Sequence, residues 1–151
     1  MLNTKKTRTP KFQIKDIKNK GRITSARALH IAEDLSWNYG SDVVVYDVRE
    51  KSPFVSYFIV CSAVNKERLK ALSNAARETL YDNYKTIDHT EGRNDSQWIL
   101  IDAKDVVVHL FTKEERDHFA LDERYQDCPH KIVKATKEPV YRKKKRLAPL
   151  A

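Results

Sequence analysis

Gln97 to Phe119 reads QWILIDAKDVVVHLFTKEERDHF, and the fold turns on it. Two short apolar runs, Trp98 to Asp102 and Val106 to Thr112, are rich in β-branched residues. Ala103, Lys104 and Asp105 divide them with a polar, turn-competent break, which is the pattern of a β-hairpin. Lys113 to Arg116 then open an amphipathic helix expected to run to about Tyr125. Side chains alternate across a strand, so Trp98, Leu100 and Asp102 share one side, opposite Ile99 and Ile101. In the return strand Val107, His109 and Phe111 share a side, opposite Val106, Val108 and Leu110. The purely aliphatic set is expected to face the core. The Trp/His/Phe set is then the face on which function is expected.

Upstream of the hairpin, Thr24 or Ser25 can cap a first helix. Its apolar residues Ala28, Leu29, Ile31, Ala32 and Leu35 keep helical spacing, and Gly40 is the expected stop. Val43 to Val48, broken only by Asp47, suits a strand buried on both faces. A second strand is expected over Val55 to Ser62, with Cys61 as a small buried hydrophobe. Asn65 caps the next helix, where Leu69, Leu72, Ala76 and Leu80 recur at three- and four-residue steps before an end near Tyr84. Thr86 to Glu91 reads as a short strand and Gly92 to Ser96 as a loop. The order α, β, β, α, β, β, β, α implies a three-layer α/β domain, with a mixed sheet of about five strands flanked by helices. Pro129 marks the expected end of the folded part.

Charge divides the 151 residues in the same way. Residues 1–22 hold eight Lys/Arg and one acid, Asp16; residues 130–151 hold eight Lys/Arg and one acid, Glu138. The stretch 23–129 between them carries 13 basic and 19 acidic residues. A mildly acidic domain over 23–129 is therefore expected between a basic N-terminal extension, 1–22, and a basic C-terminal tail, 130–151. Arg142, Lys143, Lys144, Lys145 and Arg146 are consecutive, and such a run points to contact with a polyanion. Phe12, Ile14 and Ile17 are apolar exceptions in the first extension. No run approaches the ~18 apolar residues of a membrane span, and no apolar stretch follows the N-terminus as a secretory signal would. Two distant cysteines, Cys61 and Cys128, read as reduced thiols. The expected setting is the cytoplasm or, alternatively, a mitochondrial or other organellar matrix.

Several chemistries compete with simpler roles. Asp102 and Asp105 could serve a metal or acid/base chemistry, but Asp at a hairpin reversal more often bonds nearby backbone amides. A nucleotidyl-transfer site needs a Gly-Ser turn followed by two acids on alternate strand positions. Gly40-Ser41 does precede Asp47, yet Asp47-Val48-Arg49 puts a cation where the second acid belongs. Cys61, Cys128, His118 and His130 lack the paired spacing of a zinc site. Three glycines cannot build a phosphate-cradling loop. Neither a catalytic residue, a metal nor a cofactor is expected. In the last helix Phe119 and Tyr125 are either core or, beside Trp98, an aromatic protein-binding surface.

Taken together, these residues resemble a family. Glu91-Gly92, Trp98, Leu100, Asp102, Asp105-Val106-Val107-Val108-His109, Phe111, Arg116, Phe119 and Leu121 are similar to the signature of the ribosomal silencing factor (Iojap) family. Tyr57 to Ser62 resembles the family's strand, although Ser56 replaces an acid. Phe119 stands for a Tyr, Leu121-Asp122 for a Leu-Glu pair, and Tyr125 for a Trp. The resemblance implies a nucleotidyltransferase-like fold without its catalytic acids. It further implies binding to large-subunit ribosomal protein uL-fourteen, which sterically prevents subunit joining and lowers translation when nutrients are short. Related mitochondrial members act in large-subunit assembly. On this reading Trp98, Leu100, His109, Arg116, Phe119 and Tyr125 contact the partner, while Asp102 and Asp105 shape the turn and offer charge. The tails reach nearby ribosomal RNA. The rivals are a nucleotidyltransferase-like enzyme holding magnesium at Asp102 or Asp47, and a general RNA-binding module driven by the tails. Whether the free chain forms a homodimer is left open.

Overall fold

A computed structural model describes residues 21–84, 89–92 and 95–139. The expectations for Phe12, Ile14, Ile17, the first part of the Thr86 strand, part of the Gly92 loop, and the run Arg142 to Arg146 lie outside the described residues. The strands are β1 Ser41–Asp47, β2 Tyr57–Ala63, β3 His89–Glu91, β4 Trp98–Ala103, β5 Val106–Thr112 and β6 His130–Val133. The helices are α1 Ala26–Trp37, α2 Lys66–Thr79, α3 Lys113–Phe119 and α4 Leu121–Tyr125, and α2 winds on into a π-helical turn over Leu80–Tyr84. The sheet runs β3-β4-β5-β2-β1-β6. It is mixed: β2 and β5 are parallel, and the other neighbours antiparallel.

The hairpin forms as its alternation dictates. Trp98 pairs with Phe111, Leu100 with His109 and Asp102 with Val107. Ile99, Ile101, Ala103, Val106, Val108 and Leu110 all join the larger core, together with Leu35 of α1 and Leu69 and Leu72 of α2. Two local features close the turn. Lys104 takes a left-handed conformation at φ 70, and its N–H donates to Asp102 Oδ1 at 3.1 Å. The Asp105 carbonyl accepts from the N–H groups of Ser56 and Tyr57, and its carboxylate pairs with Arg27 of α1. Asp102 thus closes the reversal with its side chain, while Asp105 ties the turn to β2 through its carbonyl and to α1 through its carboxylate.

The two long helices start where their caps stand. Ser25 Oγ accepts from the Ala28 N–H at 3.2 Å, and Asn65 Oδ1 from the Arg68 N–H at 2.8 Å. Each such cap stabilises a helix by about 1 kcal/mol. Both helices bury their apolar stripes on one side of the sheet. Among the described residues, no helix is long and apolar enough to cross a membrane.

Four expectations need correction. The sheet has six strands, not about five. The folded part does not stop at Pro129, because β6 lies beyond it, antiparallel to β1, with Val43 opposite Val133 and Tyr46 opposite His130. The 129/130 boundary therefore cuts through the domain. The last helix is two helices, since Ala120 turns left-handed at φ 54 and separates α3 from α4. Gly40 does not supply the left-handed stop of α1; Tyr39 does, at φ 71. The glycine is needed for closeness instead. A Cβ there would lie 2.5 Å from Cys61 Sγ and 2.7 Å from the Leu35 carbonyl oxygen.

Candidate functional site

On the side of the sheet away from α1 and α2, α3 and α4 cover one part and leave an aromatic wall beside it. The covered part centres on a charged network. Arg116 Nε donates to Asp122 Oδ2 at 2.8 Å and its Nη2 to Oδ1 at 3.0 Å. Its Nη1 donates to the Asp42 carbonyl at 2.7 Å and to Ser62 Oγ at 3.0 Å. The Tyr46 hydroxyl completes the set by donating to Asp122 Oδ1 at 2.5 Å. Arg116 and Asp122 are each only 2% exposed. Burial pushes the guanidinium's pKa down, but the bonds and charge of Asp122 outweigh it and the net direction is upward. Burial, with Asp122 adding to it, drives the Tyr46 phenol far up. With Nε, Nη1 and Nη2 all bonded inside the fold, this guanidinium is committed to the domain itself. Arg116 is thus corrected from a contact residue to a positioning residue, which holds α3 and α4 against β1 and β2.

The wall is built from β4, β5 and β2. The rings of Trp98, His109 and Phe111 lie nearly parallel, Trp98 to His109 at 8° and His109 to Phe111 at 4°. Phe58 stands edge-on to His109 at 5.0 Å and to Tyr125 at 5.1 Å. Phe119 tilts onto Trp98 at 5.1 Å and Phe111 at 5.4 Å. Trp98, Leu100, Asp102 and Tyr125 are half-buried, Asp105 is exposed, and Phe119 is 36% exposed. Lys51 sits over the Tyr125 ring at 5.6 Å. Of the expected contact residues, the structure therefore gathers Trp98, Leu100, His109, Phe119 and Tyr125 around one surface. Asp102 lies on the same strand face, and Asp105 lies in the turn at its end.

His109 is 7% exposed. The indole of Trp98 can only donate, so the 3.4 Å contact from its Nε1 fixes His109 Nδ1 as the acceptor. The imidazole proton then sits on Nε2, which is buried and has no hydrogen-bond partner. Burial disfavours the imidazolium and pushes the pKa down to about 4.

The other candidate positions are committed elsewhere. Asp47 is gripped by the cation that displaced the expected second acid: Arg49 Nε donates to Oδ1 at 2.9 Å and Nη2 to Oδ2 at 2.7 Å. That grip lowers the Asp47 pKa. Cys61 belongs to the core under α1 and α2 and Cys128 to the core on the opposite face, so the sheet separates them. Burial pushes the Cys61 thiol up to about 12. Among the described residues, no three His, Cys, Asp or Glu side chains gather to hold a metal.

Three residues of this region escaped the sequence reading. Tyr46 and Asp122 complete the charged network, and Phe58 supports His109. A buried tyrosine hydroxyl requires a partner, and that was the available signal for Tyr46. None existed for Phe58, because β2 is largely buried on both faces and its alternation is masked.

The family model for ribosomal silencing factor during starvation matches residues 22–149, nearly the whole chain and all six strands. The chain belongs to the ribosomal silencing factor family. The ribosomal silencing factor RsfS of Bacillus subtilis (strain 168) is 28% identical over 88 residues, covering 58% of this chain and 75% of that protein. The chloroplastic Iojap protein of Zea mays is 28% identical over 98 residues, 65% of this chain and 42% of that one. A crystal structure of a Chromobacterium violaceum protein aligns with a TM-score of 0.61 at 25% identity, covering 85% of this chain and 92% of that one. In this silencing-factor family member the aromatic wall and the buried network thus sit side by side on one face, the first partly exposed and the second sealed.

Proposed function

We propose that the aromatic wall docks on large-subunit ribosomal protein uL-fourteen, and that the bound chain blocks the small subunit sterically and represses translation when nutrients are short. Help in assembling the large subunit belongs to the same reading. One observation carries it. In a member of the silencing factor family, half-buried Trp98, Leu100 and Tyr125 and exposed Phe119 share a surface whose reverse side is completely filled. Aromatic side chains dominate the energetics of protein interfaces. The excess of acids in residues 23–129 complements a basic ribosomal protein.

The basic residues flanking the domain, Arg142 to Arg146 above all, reach ribosomal RNA in this reading and make affinity fall with salt. The fold is read as nucleotidyltransferase-like but without its chemistry, since Arg49 holds Asp47 and the turn holds Asp102. No reaction is catalysed, and the setting is the cytoplasm or an organellar matrix. Sedimentation with separated ribosomal subunits tests this. Co-migration with the large subunit alone is expected, with loss of joining when small subunits are added; co-migration with neither defeats the reading. Deleting 140–151, which spares β6, is expected to flatten the salt dependence.

A further inference from the structure

The most anomalous polar atom on the docking surface is His109 Nε2. It is buried, it carries the ring proton, and it has no partner. A buried donor left unsatisfied costs a folded chain stability, and most native donors avoid it. The same ring is otherwise well held: Phe58 meets it edge-on, Trp98 and Phe111 flank it, and Nδ1 has its donor. Packing alone would be served as well by a phenyl ring, which has no proton to satisfy.

We propose that the Nε2–H of His109 is a donor reserved for a carbonyl oxygen on an apolar, uncharged segment of the protein that docks on this face. The inference rests on the docking reading above and adds a hydrogen bond which that reading does not contain. The chemistry of the occupant follows from the surroundings. Phe58, Trp98, Leu100 and Tyr125 offer apolar surface around the ring, and the cation at its edge, Lys51, lies over the Tyr125 ring and donates to the Arg124 carbonyl. The Asp102 side chain lies on the same strand face as Leu100, and the domain as a whole is acidic. Asp102 and the acidic balance disfavour an anionic acceptor, and the rings around the donor suit a neutral carbonyl in an apolar segment. The donor is closed to solvent in the free chain. The acceptor therefore reaches it only when a rim side chain gives way. Leu100, opposite His109 across the hairpin and half-buried, is the flexible aliphatic side chain placed to do so.

The test compares two substitutions in the full-length chain, reading affinity for purified large ribosomal subunits by sedimentation and the urea midpoint of the free protein. His109→Phe keeps the bulk and removes the donor. Its affinity is expected to fall about tenfold while the urea midpoint holds or rises, because the orphaned proton is gone. His109→Gln keeps an amide N–H of similar reach and is expected to bind within a few-fold of the unaltered chain. A purely structural histidine gives the opposite result: His109→Phe lowers the midpoint and leaves the affinity of the folded molecules unchanged, which overturns the proposal. Leu100→Asp separates the two readings. If it abolishes binding while His109→Phe does not weaken it, the reserved donor is wrong and the docking face stands. If neither matters, the docking face itself is wrong. Should His109→Phe fail to fold, His109→Met against His109→Gln decides, and equal affinities overturn the proposal.

Discussion

Behind the sheet, α1 and α2 press Ile31, Leu35, Leu69 and Leu72 onto aliphatic strand positions. In front, Tyr46, Phe111 and Leu121 share the space with a fully enclosed Arg116–Asp122 pair, and a wall of rings is left beside them. The back is held largely by local means, side-chain caps at Ser25 and Asn65 and apolar stripes at helical spacing, with a buried long-range contact from Thr79 Oγ1 to Asp34 joining its helices. The front is held at long range. Helix α4 has no side-chain cap, and Asp122 in its first turn binds Arg116 and Tyr46 instead. A face needed only for stability would be filled as the back is, since apolar residues of similar volume generally match a buried ion pair. The front is shaped to hold a short, bent helical cover while keeping Phe119 and Trp98 within reach of solvent.

That contrast can be broken most severely at Asp122. Asp122→Ala leaves a buried guanidinium without its carboxylate and a buried phenol without its acceptor. The expected loss is about 3–5 kcal/mol in urea unfolding. Replacing both charges at once, with Tyr46→Phe to remove the stranded hydroxyl (Arg116→Met, Asp122→Leu, Tyr46→Phe), is expected to recover most of it. A loss below ~1 kcal/mol for Asp122→Ala would mean that the rings alone hold the front, and the contrast would collapse.

The next effect is of pH. His109 has a folded pKa of about 4 against an ordinary 6.5, because its burial favours the neutral ring. The unfolded chain therefore takes up the proton first as pH falls. The stability contributed by the neutral ring is complete above pH 6.5 and is lost as pH drops towards 4, by ~3 kcal/mol at the lower end. Urea midpoints measured from pH 7 to pH 4 are expected to fall more steeply for the unaltered chain than for His109→Phe. Parallel profiles would place the ring in water rather than behind Phe58 and Trp98.

The same division governs what could be read from the chain. The hairpin was legible because its information is local: alternation in WILID and VVVHLF, and a polar break between them. The caps of α1 and α2 were legible for the same reason. β6 was not. HKIV is a four-residue edge strand with an exposed lysine in it, and only its pairing with β1, far back in the chain, makes it a strand. The burial of Arg116 is not legible, because nothing in KEERDHF says that one of its charges turns inward. That depends on Asp122, Ser62 and the Asp42 carbonyl arriving from elsewhere. The wall's edge residues Trp98 and Phe119 could be named from the chain, but Phe58 needed the parallel β2–β5 pairing that places it in front.

Ala120 offers the finest test of the contrast. It holds φ 54 and ψ 37 between α3 and α4, a conformation that a Cβ disfavours and alanine has no reason to choose. The local preference of KEERDHFALDERY is one continuous helix. The break exists because Asp122, two residues on, must reach Arg116 and Tyr46. If so, the left-handed residue is a strain that the long-range network imposes, and relieving it should help. Ala120→Gly is expected to stabilise the chain by about 0.5–1 kcal/mol, after the extra freedom glycine has when unfolded is set against the strain removed. The urea midpoint should rise with an unchanged slope. In the Asp122→Ala background the benefit should shrink or reverse, because without the carboxylate nothing demands the bend. A stabilisation of equal size in both backgrounds would show that the bend is set by packing of Phe119 and Leu121, and not by the buried charge.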